Sequence, residues 1–232
     1  MVRPSPCPRA GDVKSTPILD WTHPRILALS AEVSGADERA FLVAAHRLIA
    51  DRVRPVYAMN EAQPASTTLA LGRGSCSQRL ALLEAVARSR GIDTRTRGLL
   101  VDPRFWRARF PRLHVFFPRH VVLAWPEFLV GGVWVSVSEL HGPSRTAEPF
   151  TNTGEETLFE AVARGCDLSG HVLADLGHFD SRDDLFARHG QTLCLPVRVA
   201  ADLLSAPRRR RRGGGGGPTR RGCRLPRRLG RW

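Results

Sequence analysis

Residues 72–76 read Gly-Arg-Gly-Ser-Cys, and a helical pattern starts at once behind the cysteine. From Cys76 to Arg90 the apolar residues Leu80, Leu83, Val86 and Ala87 share one helix face, and Gly91 supplies a stop. The two glycines permit a tight backbone approach and positive φ. The cysteine is thereby placed in the first turn, among N–H groups that lack helical partners. The positive end of the helix dipole favours thiolate over thiol there. The same N–H groups can stabilise an oxyanion on a bound acyl group. Two readings stay open at this point: Cys76 as a nucleophile, or Cys76 as a buried thiol at the start of a core helix.

The rest of the chain sets helices before strands. Thr22 and Pro24 read as an N-cap and first-turn proline of a short helix to Val33. From Asp37, the residues Phe41, Leu42, Ala45, Leu48, Ile49 and Val53 give a helix with one buried face, ended by Arg54-Pro55. A linker with Pro64, Ala65 and Ser66 follows. Thr94 to Val101 reads as a strand, and Phe105 to Phe117 as an aromatic and basic surface loop. His120–Phe128 and Val133–Val137 read as strands joined at Gly131-Gly132. Glu155–Val162 reads as a helix, and Ser181 with Asp184 opens a last helix to Arg188, closed by Gly190. This order favours an α+β fold over a doubly wound sheet.

Charge divides the chain. The net charge is +13, yet eleven arginines and no acid lie between Pro207 and Trp232, which leaves about +2 for the remainder. Five arginines followed by five glycines cannot bury a core. We expect three regions: a disordered leader at 1–17, one domain at 18–206, and a disordered Arg/Gly-rich tail at 207–232. Nucleic acid enters as a partner only through that tail, and this reading ranks last. The five cysteines (Cys7, Cys76, Cys166, Cys194 and Cys223) include no C-x-x-C pair, which argues against a disulfide framework or a zinc site. No cofactor is expected, because neither a phosphate-binding nor a dinucleotide motif is present, and no metal, because His171, His178 and His189 have no ligand-like companions. No apolar run is long enough to span a membrane, and the expected location is the cytoplasm.

The segment Pro64–Gly98, PASTTLALGRGSCSQRLALLEAVARSRGIDTRTRG, resembles the nucleophile segment of the transglutaminase-like superfamily. The matching elements are Gly72, Gly74, Cys76, then Gly91, Ile92 and Arg95. The strands VVLAWPEFLVGGVWVSVSEL resemble the hairpin that carries the family's other catalytic residues, and LGHFDSRDDLFARHG resembles a stretch of some bacterial members. The resemblance covers residues 20–195. It implies a papain-related α+β fold with the Cys76 helix packed on an antiparallel sheet. It also implies thiol-dependent amide or acyl chemistry at Cys76, either transamidation or hydrolysis, on a peptide, protein or carrier-bound acyl partner. Gly74, Ser75, Trp125 and Glu127 become candidate binding residues.

Two positions depart from the family pattern. Leu123 stands where the histidine of H-x-W is expected, and Ser138 stands where the orienting acid is expected. His120 lies three residues before Leu123, so on a regular strand it points to the opposite face. His141, with Glu139 as the orienting acid, is a second candidate base, and His114 a third. The alternative is a catalytically degenerate transglutaminase-like scaffold that binds a peptide or protein.

Overall fold

The computed structural model describes residues 11–58, 60–109, 119–142, 150–154, 156–166 and 168–191. His114, Cys7, Cys194, Cys223 and the arginine tail lie outside the described residues.

Three helices lead into the cysteine turn. They are α1 (Pro24–Glu32), α2 (Glu38–Arg52) and α3 (Ala65–Leu71). Asp37 caps α2 as the sequence suggests, its carboxylate accepting from Ala40 N at 2.7 Å. The cap of α1 is His23 rather than Thr22, because its Nδ1 can accept the Arg25 amide at 3.1 Å. The expected linker at Pro64 is instead the entry to α3. Pro64 supplies the extended residue before it, and the Ser66 amide and hydroxyl both donate to Asp20. Gly72 ends α3 at φ 58°, a left-handed cap open to glycine at little cost. Two short strands, β1 (Arg54–Pro55) and β2 (Arg73–Gly74), then pair in parallel and tie the end of α2 to the turn before Cys76.

Helix α4 (Cys76–Ser89) is the centre of the molecule. The sequence predicts one apolar face, but every residue from Ser77 to Arg88 is buried. The reason is its surroundings: α1, α2 and α3 pack against it, and so do two strands of the main sheet. A helix enclosed on all sides must find partners for its polar residues. Glu84 and Arg88 have them, and Arg79 has one in Glu160, though its Nε has none among the described residues. Glu84 pairs with Arg182 at 2.6 Å, and both side chains are fully buried. Arg182 also donates to Ser77 Oγ at 2.8 Å. Arg88 donates to Thr94 Oγ1 at 2.7 Å and to the Lys14 and Asp180 carbonyls.

The main sheet has the order β5-β4-β3-β6 and is antiparallel throughout. Its strands are β3 (Thr94–Val101), β4 (Val121–Val130), β5 (Val133–Ser136) and β6 (Val172–Phe179). Gly131 and Gly132, at φ 57° and 81°, make the tight β4–β5 turn. Strand β6 escapes the sequence reading because two register shifts against β3 break its alternation. A short helix, α5 (Leu158–Ala161), precedes β6, and α6 (Arg182–His189) follows it. Helix α6 presses Leu185 onto Gly98, where an added Cβ would lie 2.7 Å from Leu185 Cδ1. The architecture is α+β, with the Cys76 helix packed on an antiparallel sheet.

Residues 11–17, read above as part of a leader, are pinned to this body. Asp12 bridges Thr94, Trp21 donates to the Val13 carbonyl at 2.7 Å, and Thr16 donates to Asp183 at 2.5 Å.

Candidate functional site

The turn before α4 is built as the sequence suggests, with one difference. Only Gly72 of the two glycines has positive φ. Gly74 is needed for close approach, since a Cβ there would meet Thr68 Cγ2 at 2.7 Å. Ser75 caps α4: its hydroxyl accepts from Gln78 N at 3.2 Å, while its own amide donates to Gln78 Oε1 at 3.0 Å. Gly74 and Ser75 therefore fix the entry of the helix.

Cys76 follows as the first helical residue, half-buried and packed against the main core. Burial pushes its thiol up from the ordinary range. The Phe159 amide, the Thr157 hydroxyl and the Arg79 guanidinium pull the other way. Burial wins against them and against the helix dipole, because the sulfur has little water left to stabilise its charge.

The groups acting on the thiol include α5 and its cap, Arg79 of α4 itself, and Tyr57 just after β1. Thr157 and Glu160 form a capping box. Arg79, one turn along from Cys76, is fully buried and pairs with Glu160 at 2.5 Å. Its guanidinium lies 4.1 Å from the centre of the Phe159 ring. On the same ring stacks His46 of α2, at 4.1 Å and 12°. His46 Nε2 lies 2.7 Å from the Phe159 carbonyl. A carbonyl only accepts, so Nε2 carries the proton. Burial lowers the pKa of His46 to about 4, which leaves the ring neutral at pH 7.

The expected site residues fall into different places. Leu123 is buried in the main apolar cluster and pairs with Leu99. Ser138 is buried and joined to Ser136 Oγ at 3.1 Å, and Ser136 Oγ accepts the Trp125 indole N–H at 2.8 Å. Trp125 is thus a core residue with a satisfied N–H. Glu127 is buried and pairs with Arg95 at 2.5 Å and with His178 at 3.4 Å. Glu139 is exposed, and its carboxylate caps the short turn Val137–Glu139 by accepting from Ser136 N. His120 is exposed just ahead of β4. His141 is half-buried with its ring 5.1 Å from that of His46, and burial lowers its pKa. Its Nε2 is enclosed without a hydrogen-bond partner among the described residues.

The sequence reading missed His46, Arg79 and the Thr157–Glu160 turn. His46 sits on the apolar face of α2, between Leu42 and Ile49, and that position was its signal. The spacing Thr-x-x-Glu at 157–160 was legible as a capping box. Its approach to Cys76 was not, since more than 80 residues separate them in sequence.

Among the described residues no helix is long and apolar enough to cross a membrane, and no group of three His, Cys, Asp or Glu side chains could hold a metal ion. No curated protein and no solved structure matches the chain. The transglutaminase-like superfamily model matches residues 28–138, from within α1 to Ser138. That span includes the Cys76 turn, α4 and the β4–β5 hairpin. Through residues 28–138 this chain belongs to the transglutaminase-like superfamily.

Proposed function

We propose that the domain is a transglutaminase-like scaffold that binds a peptide or protein and does not use Cys76 as an acyl-transfer nucleophile. The observation that carries this reading is Leu123, a buried hydrocarbon side chain at the position where the family resemblance puts the base. A general base contributes about 10²–10⁴-fold to such a reaction. The other parts of the site agree in direction. Ser138 is held by Ser136, Glu139 is spent on a cap, and burial raises the Cys76 thiol. Transglutaminase-like domains act on protein and peptide substrates, so a peptide or protein is the ligand class to test.

Thiol-dependent amide or acyl chemistry is the second reading. It draws on His141, whose enclosed and unpartnered Nε2 lies in the same neighbourhood as His46 and Phe159. One assay separates the two. Release of ammonia from a glutamine-containing peptide, with and without an added amine, is measured for the natural chain and for Cys76→Ala. We expect the two proteins to give the same background rate. Turnover that disappears in Cys76→Ala overturns the binding reading.

A further inference from the structure

We propose that the turn Thr157–Glu160 is an autoinhibitory strap, an internal occupant of the space in front of the Cys76 thiol, and that Arg79–Glu160 is its latch. The strap is short: four residues of α5 behind one capping threonine. A single helical turn has little stability of its own, so its position depends on what grips it. Leu158, Phe159 and Ala161 are buried in the main core, and three further contacts grip the turn. The Arg79–Glu160 pair, at 2.5 Å, joins it to α4 one turn beyond the cysteine. The Phe159 ring lies against both the Arg79 guanidinium and the His46 imidazole, each 4.1 Å from its centre. His46 also donates from Nε2 to the Phe159 carbonyl at 2.7 Å. The outcome is that the Phe159 amide and the Thr157 hydroxyl face the sulfur. An incoming carbonyl would have to take the place of these two groups at the sulfur.

The latch has an accessible side. Arg79 is fully buried, but the Glu160 side chain is 34% exposed. Water or a competing charge can therefore reach the carboxylate while the guanidinium stays inside. Loss of the Glu160 charge leaves Arg79 buried without its counter-ion, while a glutamine there can still accept from the Thr157 amide. The strap then opens more often, and the thiol is reached through the open form.

The inference rests on the reading above only for Cys76 as the family's nucleophile position, and it can fail separately. Alkylation of Cys76 by iodoacetamide is followed by mass spectrometry of the tryptic peptide in the folded full-length chain. Glu160→Gln is expected to raise the Cys76 rate about tenfold, as a loss of about 1.4 kcal/mol of latch energy would. Thr157→Ala, which keeps the ion pair but removes the cap hydroxyl, is expected to raise it by a smaller factor. Glu156→Gln is the control, since Glu156 pairs with Arg164 and not with Arg79. If Glu160→Gln changes the rate no more than Glu156→Gln does, the strap is refuted. If Glu160→Gln does not fold, as judged by near-ultraviolet circular dichroism, Thr157→Ala decides on the same criterion. Peptide turnover by Glu160→Gln would support the strap while overturning the binding reading. An unchanged alkylation rate would overturn the strap and leave that reading in place.

Discussion

Arg182→Ala is expected to lower folding stability by about 3–5 kcal/mol, the usual cost of removing one partner of a buried ion pair. Arg182 sits on α6, more than 90 residues from Glu84, yet both side chains are fully buried at 2.6 Å. The guanidinium also serves Ser77 Oγ and the Ala124 carbonyl. Its removal strands a carboxyl that burial already pushes up, together with a buried hydroxyl and a strand carbonyl. The contact joins α6 to the central helix and to β4, so the loss is expected in the global unfolding transition. Glu84→Leu combined with Arg182→Met is expected to cost less than the two single changes added together, because no charge is left unpaired. Urea unfolding of the natural chain, Arg182→Ala, the two single changes Glu84→Leu and Arg182→Met, and their combination measures this. A loss below about 1 kcal/mol for Arg182→Ala would mean that water reaches the pair.

Acid is expected to weaken the fold through His46. Its ordinary pKa is near 6.5, and in the folded chain burial holds it at about 4. Between these values the unfolded chain binds a proton that the folded chain refuses. Stability therefore rises with pH across this window and is lost as pH falls from 6.5 towards 4. The shift corresponds to about 3 kcal/mol. His141 is lowered as well and acts with the same sign. The depressed carboxyls of Asp12, Asp102, Glu160 and Asp175 act lower, as pH falls through their own folded values. His46→Gln keeps a donor for the Phe159 carbonyl but cannot titrate. Unfolding free energies at pH 7, 5.5 and 4.5 are expected to fall steeply for the natural chain and much less for His46→Gln. Equal slopes would show that His46 is solvated in the folded state.

Local patterns in the sequence carried much of this fold. Strand β3 and the cap of α6 follow directly from alternation and from the Ser181–Asp184 pattern. The Gly131-Gly132 turn places β4 and β5 to within two residues at each end. Long-range enclosure was not legible. The polar residues of α4 looked like a solvent face, but Arg79, Glu84 and Arg88 meet partners supplied by α5, α6, β3 and the segment at Lys14. Bulges hid β6, and α3 hid in a segment that composition marks as a linker. At the site, the sequence located Cys76 at a helix N-terminus and marked Leu123 and Ser138 as departures. It could not show the surroundings of the thiol, to which Tyr57, Arg79 and a four-residue helix contribute only in three dimensions.

The pH dependence of Cys76 alkylation tests the central claim most directly. A helix N-terminus alone would lower the thiol pKa, whereas burial of the sulfur raises it. We expect the labelling rate of the natural chain to climb with a midpoint above the ordinary thiol value of about 8.5. A midpoint well below that value, with Cys76 labelled faster than a free thiol at neutral pH, would identify an activated nucleophile and contradict the account.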